Sequence, residues 1–347
     1  MRLRHSLFFL VAIAGSVSAQ NVTPFSERVT AQNALFEEQY ESDLRNFPER
    51  ATAFGDYRYN DKLAEYSLAA IGQRHKTDQD FLARLEAIPT SGFSEQDQLS
   101  HDLLVRVLRQ RLADFDLKEY EMPINQFNGI HTSLADLPLS VPFETVKEYE
   151  DYVARLHQVP RVLNQTTEVL RAGVSDGLMP VRFLLEKIPV QIAGIIDADP
   201  FLIPTRKYPA TISPADQQRL TRQITDAINV DVIPAYKTFA SFVAAEYAPH
   251  GRTALSVTSL PDGAKRYEND IRPDHHPHDA GRDPSARSPR DRPHPDRDAG
   301  YRQEGGLRRR RLISDITQNE SEIHPDVFGA DPGRLPPLHR PDAAEAS

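Results

Sequence analysis

An all-α fold is what this sequence predicts, and three observations carry the prediction. Apolar residues recur at steps of three and four behind polar capping signals. Several prolines stand where a helix can begin, just before such a run. No stretch sustains the period-two alternation of a half-buried strand, so strands should be few.

The elements follow in chain order. Residues 1–19 read as a secretory signal peptide: MRLRH is a short positive n-region, SLFFLVAIAGSV an apolar h-region, and Val17-Ser18-Ala19 a small-residue cleavage site before Gln20. The apolar run is too short to span a bilayer comfortably, so no stable membrane span is expected after cleavage. The mature protein should be exported, periplasmic or extracellular. It has no cysteine, hence no disulfide framework and no lipid anchor at this cut.

Residues 20–272 should form a helical domain. Ser94-Glu95-Gln96-Asp97 resembles a capping box. Behind it Leu99, Leu103, Leu104, Val107, Leu108 and Leu112 should share the buried face, with His101, Arg106, Arg109 and Arg111 mostly off it. Thr145-Val146-Lys147-Glu148 is a second box, followed by a stripe of Tyr149, Tyr152, Val153 and Leu156. Pro160 ends that helix and can open the next, which carries Val162, Leu163, Val169 and Leu170 and has Gly173 as its expected C′ residue. Ile188 to Ile192 fits a strand or a short helix equally. Ser213-Pro214-Ala215-Asp216 is the clearest start signal. The stripe Leu220, Ile224, Ile228, Val232 follows, and Pro234 should kink or restart the helix. Tyr236, Phe239, Phe242, Val243 and Tyr247 carry the face onward to a stop at Pro249-His250-Gly251.

From residue 273 to 347 the composition changes. Lysine is absent after Lys265, arginine and proline crowd the chain, and the helical period is lost. Such a segment cannot bury enough apolar surface to offset its chain entropy, so a disordered tail is expected.

The formal net charge of −9 argues against a general nucleic-acid binder, whose footprint should be basic. His275-His276-Pro277-His278-Asp279 has metal-ligand residue types, but Pro277 breaks any helix and no paired ligand cluster follows. Arg308 to Arg311 reads as a solvated charge block among acidic residues. His131 falls in an expected loop, where a lone histidine is more often solvated or capping than functional. Tyr57, Tyr59, Tyr149, Tyr152 and Tyr267 could line a peptide groove, although Tyr149 and Tyr152 have core spacing. The chain contains no H-E-x-x-H. Spacing alone assigns no catalytic, cofactor-binding or metal-binding residue.

One resemblance adds to this reading. Asn46 to Gly55 (NFPERATAFG), Pro123 to Gly129 (PINQFNG), Tyr152 to Pro160 (YVARLHQVP), Arg171-Ala172-Gly173 with Gly177 and Pro180, Val232 to Tyr236 (VIPAY) and Leu260 to Gly263 (LPDG) together resemble the bacterial "domain of unknown function 885" family. The likeness covers most of residues 27–272. It implies an exported helical protein similar to zinc metallopeptidases, with an H-E-x-x-H helix in a second half and a peptide substrate. Zinc is therefore implied for full-length relatives and none for this chain. By that reading the chain is a truncated, inactive N-terminal half that exposes apolar surface and self-associates non-specifically. The alternative is a standalone helical module that binds peptides or envelope partners.

After L-P-D-G the family continues with a T-P-x-E-I-H-x-L-G helix start. Back-translating from Asp274 with GC-rich codons and reading one base later can restore that pattern, so the tail is expected to be a frameshift product. Resequencing genomic DNA across the codons for Lys265 to Asp274 should then show a shifted frame running on to an H-E-x-x-H helix. Early stops and no helical period in that frame would refute the frameshift.

Overall fold

The computed structural model describes residues 23–271. The expected signal peptide at 1–19 and the expected tail at 273–347 lie outside the described residues. So do His275 to Asp279 and Arg308 to Arg311. The described residues are mainly helical, with no strand and one isolated bridge between Val181 and Arg252. No described helix is long and apolar enough to cross a membrane.

Two apolar clusters organise the fold. The smaller joins α1 (Phe25–Asn46), α3 (Leu68–Glu86) and α4 (Glu95–Asp116) through Leu35, Phe81, Leu85, Val105 and Leu108. Between α1 and α3 lies the short α2 (Pro48–Ala53), which has Pro48 in its first turn. The larger cluster takes α5 (Ile130–Ala135), α6 (Leu137–Ser140), α7 (Val146–Leu156), α8 (Val159–Asp176), α9 (Arg182–Leu185) and α10 (Ile188–Ala198). It is completed by α11 (Pro214–Ala227) and α12 (Ile233–Phe242). A last helix, α13 (Gly263–Ile271), returns to α4, where Asn269 Nδ2 donates to Asp114 Oδ1 at 2.7 Å.

Helix starts fall where side chains answer the first free N–H groups. Ser94 accepts from Asp97 N, Ser213 from Asp216 N, and Thr145 forms a complete capping box with Glu148. Pro160 sits in the first turn of α8, where its missing N–H leaves no bond unmade. The Ile188 segment, open between strand and helix in the sequence, is α10.

Two expectations need correction. First, α8 does not end at Gly173. Gly177 closes it in the left-handed region at φ +70°, and Gly173 lies inside the helix because a Cβ there would meet Glu121 O at 2.5 Å. Second, α4 buries His101, Val105 and Leu108, whereas Leu99, Leu103 and Val107 stay 52, 51 and 43 % exposed. His101 can be inside because its Nδ1 lies 2.9 Å from Gln32 Oε1, so the polar atom is answered. Pro234 restarts the helix, one of the two outcomes expected of it: it stands in the first turn of α12. A π turn over Ile228–Val232 leads directly into α12, and a second over Val243–Tyr247 ends it. The wide turn places Pro234 in a first-turn position, where the missing donor costs least.

The buried stripe of this long helix is as the sequence predicts, from Leu220 to Tyr247. Its tyrosine reaches across the core: Tyr236 OH donates to His131 O at 2.8 Å. Tyr152 OH likewise donates to Phe201 O at 3.0 Å.

Polar side chains of α7 and α8 hold the segment from α2 to α3 against the larger cluster. Arg155, fully buried, donates Nε to Lys62 O at 2.9 Å and Nη2 to Thr52 Oγ1 at 2.6 Å, Pro48 O at 3.3 Å and Tyr59 O at 3.3 Å. Gln158 Nε2 donates to Asp61 O at 2.7 Å, and its Oε1 accepts from Leu63 N at 3.1 Å. Arg161 Nη2 donates to Leu63 O at 3.1 Å, and Gln165 Oε1 accepts from Tyr66 N at 2.9 Å. The segment from Pro48 to Tyr66, which is largely irregular after α2, thus has its backbone groups paired by side chains rather than by a ladder.

Replacing Arg155 with Met keeps much of the bulk but leaves those acceptors without donors. Arg155→Met should lose about 3 kcal/mol of stability. Gly173→Ala should lose about 1–3 kcal/mol through the clash with Glu121 O. Urea unfolding midpoints of the two variants against the parent chain test both.

Candidate functional site

The seam between the clusters holds an open cavity of about 540 Å³. Its wall on α3 is a stripe at i, i+3, i+4 and i+7: Ile71, Arg74, His75 and Asp78. Its wall on α4 is Arg111, Asp114 and Phe115, at i, i+3 and i+4. Helical spacing puts each set on one face. Asp43 enters from α1, Phe47 and Arg50 from the turn into α2, Ile130 from α5 and Val169 from α8.

Charge is paired inside this seam, but unevenly. Arg111 forks onto Asp43, with Nη2 2.7 Å from Oδ2 and Nη1 3.2 Å from Oδ1, and its Nη1 lies 3.3 Å from Asp78 Oδ1. Burial opposes the Arg111 charge, but the bonded Asp43 carboxylate outweighs it and holds the guanidinium pKa above its ordinary value. Burial dominates at Asp78 and keeps its carboxyl above the ordinary value despite Arg111. Arg50 Nη1 stands 3.7 Å from Asp43 Oδ2. Asp114 Oδ1 accepts from Gln110 Nε2 and Asn269 Nδ2, each at 2.7 Å.

Arg74 is answered differently. Its Nη1 donates to Glu65 O at 2.8 Å, and it forms no ion pair among the described residues. Its guanidinium lies 5.4 Å from the centre of the Phe47 ring, which also carries Arg50 at 4.8 Å. His75 stacks on Phe115 with centroids 3.7 Å apart and planes at 12°. Gln79 Nε2 lies 2.9 Å from His75 Nε2, while His75 Nδ1 is buried without a partner.

The candidates weighed in the sequence fall elsewhere. His131 is neither in a loop nor solvated. It lies in α5 with no exposed surface, its Nε2 3.4 Å from Gln191 Oε1 and its Nδ1 unpartnered. The reason is local: Gly129 leaves the room, since a Cβ there would stand 2.8 Å from the imidazole. Tyr149 and Tyr152 are core, as their spacing suggests, whereas Tyr57 and Tyr267 are exposed and do not meet them at a groove. The tyrosines that do line the cavity are Tyr66 and Tyr120. Burial raises the pKa of both hydroxyls.

The resemblance implies zinc for full-length relatives, and the donor set here does not fit it. Among the described residues no group of three or more His, Asp or Glu side chains is placed to hold a metal ion.

Comparison with known proteins bears on the fold. The family model described as "Bacterial protein of unknown function (DUF885)" matches residues 48–277. A crystal structure from Colwellia psychrerythraea, described as a "putative lipoprotein", is similar with a TM-score of 0.61 at 16 % identity. The match covers 71 % of this chain and 46 % of that one, so the chain spans about half the length of this neighbour. No curated protein matches the sequence.

Burial depresses the His131 pKa below its ordinary 6.5. The unfolded chain therefore binds a proton that the folded chain refuses once pH drops below that value. Stability should be complete above about pH 6.5 and fall by up to about 1.4 kcal/mol per pH unit below it, until the depressed folded value is reached. His131→Leu should flatten the slope of the urea midpoint between pH 7.5 and 5, conditions at which about one proton is at issue. An unchanged slope would assign the acid sensitivity to other groups.

Proposed function

Because the chain belongs to the bacterial DUF885 family of unknown function, we propose that its helical region is the ligand-binding part of an exported, metallopeptidase-like protein and is not itself hydrolytic. One observation carries the reading: a cavity of about 540 Å³ that combines aromatic walls with Arg74, which forms no ion pair among the described residues. Ligand sites are typically of this size, mostly apolar, with a few placed polar groups. Export rests on the signal-like residues 1–19.

Peptide-like ligands are proposed from the family resemblance. The zinc-dependent step that the resemblance implies would require histidines one helical turn apart with a glutamate beside them. The chain has no H-E-x-x-H, so hydrolysis is assigned to a second segment that full-length relatives supply, and this chain is proposed to be inactive alone. The exposed stripe of Leu99, Leu103 and Val107 supports non-specific self-association of the separate chain.

The test uses the full purified chain with a mixture of short peptides. Mass spectrometry should show no cleavage with added zinc or with a chelator, while thermal unfolding should shift upward with N-acylated amino acids or short peptides. Chelator-sensitive cleavage would overturn the non-hydrolytic half of the proposal, and the absence of any thermal shift would overturn the binding half.

A further inference from the structure

The arginines of the cavity differ in what answers them, and the difference identifies a ligand chemistry. Arg111 has Asp43 and Asp78, and Arg50 has Asp43. Arg74 has one carbonyl, that of Glu65, and the face of Phe47. A guanidinium presents five N–H donors in a fixed fork. Taking such a charge partly out of water without an ion pair is unfavourable: burial lowers the pKa of Arg74, and the more distant Tyr66, Asp78 and Glu65 offset that only in part.

Phe47 compensates incompletely. Its ring is shared with Arg50, which lies over it at 4.8 Å. Two cations on one ring repel each other, and an anion between the cavity and Arg74 would relieve that repulsion. The surrounding carboxylates limit which anion can enter. Asp43, Asp78 and Asp114 all line the same cavity, so a dianion meets more repulsion than a monoanion does. A carboxylate matches the guanidinium fork with two parallel hydrogen bonds. The remaining walls, which include Tyr66, Phe115 and Tyr120, suit an apolar or aromatic body behind that carboxylate.

We propose that this cavity binds a monoanionic carboxylate carried on an apolar or aromatic body, with Arg74 as its charge partner against the Phe47 ring. The proposal rests on reading this region as ligand-binding and adds the group that is recognised. For a peptide-like ligand that group is a free C-terminal carboxylate.

Calorimetric titration of the full chain decides it, with N-acetyl-phenylalanine, N-acetyl-phenylalaninamide and inorganic phosphate as probes. The acid should bind at least about tenfold tighter than the amide, as expected when a site built for a charged group meets an analogue lacking it. Arg74→Gln should erase that preference. Arg74→Lys should restore only part of it, because an ammonium cannot fork. The comparison of acid with amide on the unaltered chain does not depend on any variant folding. Equal affinity for acid and amide would overturn carboxylate recognition and leave the binding reading standing. Tighter binding of phosphate than of the acid would overturn the monoanion. Failure of both N-acetyl probes to bind would overturn the binding reading and this proposal together.

Discussion

A single buried cation, Arg155, pins the segment from α2 to α3 onto α7. It makes no ion pair among the described residues. Its donors instead collect oxygens from Pro48, Thr52, Tyr59 and Lys62. These four residues span a stretch of chain with little regular structure of its own, and one planar fork can satisfy it only if every oxygen converges on α7. Burial lowers the Arg155 pKa, and Nη1 is left unpartnered, so the arrangement carries a desolvation cost that its hydrogen bonds offset. Gln158, Arg161 and Gln165 extend the grip along α8.

The stretches that carry the family resemblance turn out to be joints. Pro48 and Thr52 of the N-F-P-E-R-A-T segment meet Arg155 of the Y-V-A-R-L-H-Q-V-P segment. In P-I-N-Q-F-N-G, the Asn125 side chain accepts from Phe127 N and Asn128 N, and Gln126 O accepts from Gln191 Nε2 at 2.8 Å. Gly173 admits the Glu121 carbonyl, and Gly263 of L-P-D-G lies against the Thr258 backbone. What these motifs encode is close backbone approach and side-chain-to-backbone pairing. Phe47 and Arg50 of the first motif also line the cavity.

Much of the fold was legible, and the failures share a cause. Helix starts at Ser94, Thr145 and Ser213 are local events, decided by a few neighbouring residues, so sequence reads them well. Faces are decided by what packs opposite. On α4 the leucines outnumber other apolar residues, yet the buried stripe runs through His101 because Gln32 stands across from it. Gly173 looked like a terminus until Glu121, far away in sequence, was seen to need its missing Cβ. The cavity was missed for the same reason. Arg74, His75 and Asp78 have the spacing of an ordinary solvated face, and only the tertiary fold turns that face toward Tyr66 and Tyr120.

The π turn at Ile228–Val232 makes the long helix a counting device. Its buried residues Leu220, Ile224, Ile228, Val232 and Tyr236 are spaced by four, and in an unbroken α-helix each such step drifts about 40° around the axis. The wider turn absorbs that drift, so Tyr236 still faces α5 and its hydroxyl still meets the carbonyl of His131. Deleting one residue within the turn would convert it to regular α-helix and leave the downstream faces nearly in place, because a surplus residue is what the wider turn accommodates. Deleting one from the regular helix before it, with the turn kept, would rotate everything downstream by about 100°, and the anchor would point elsewhere. For this helix, indel tolerance depends on position: the turn is where a residue can be lost.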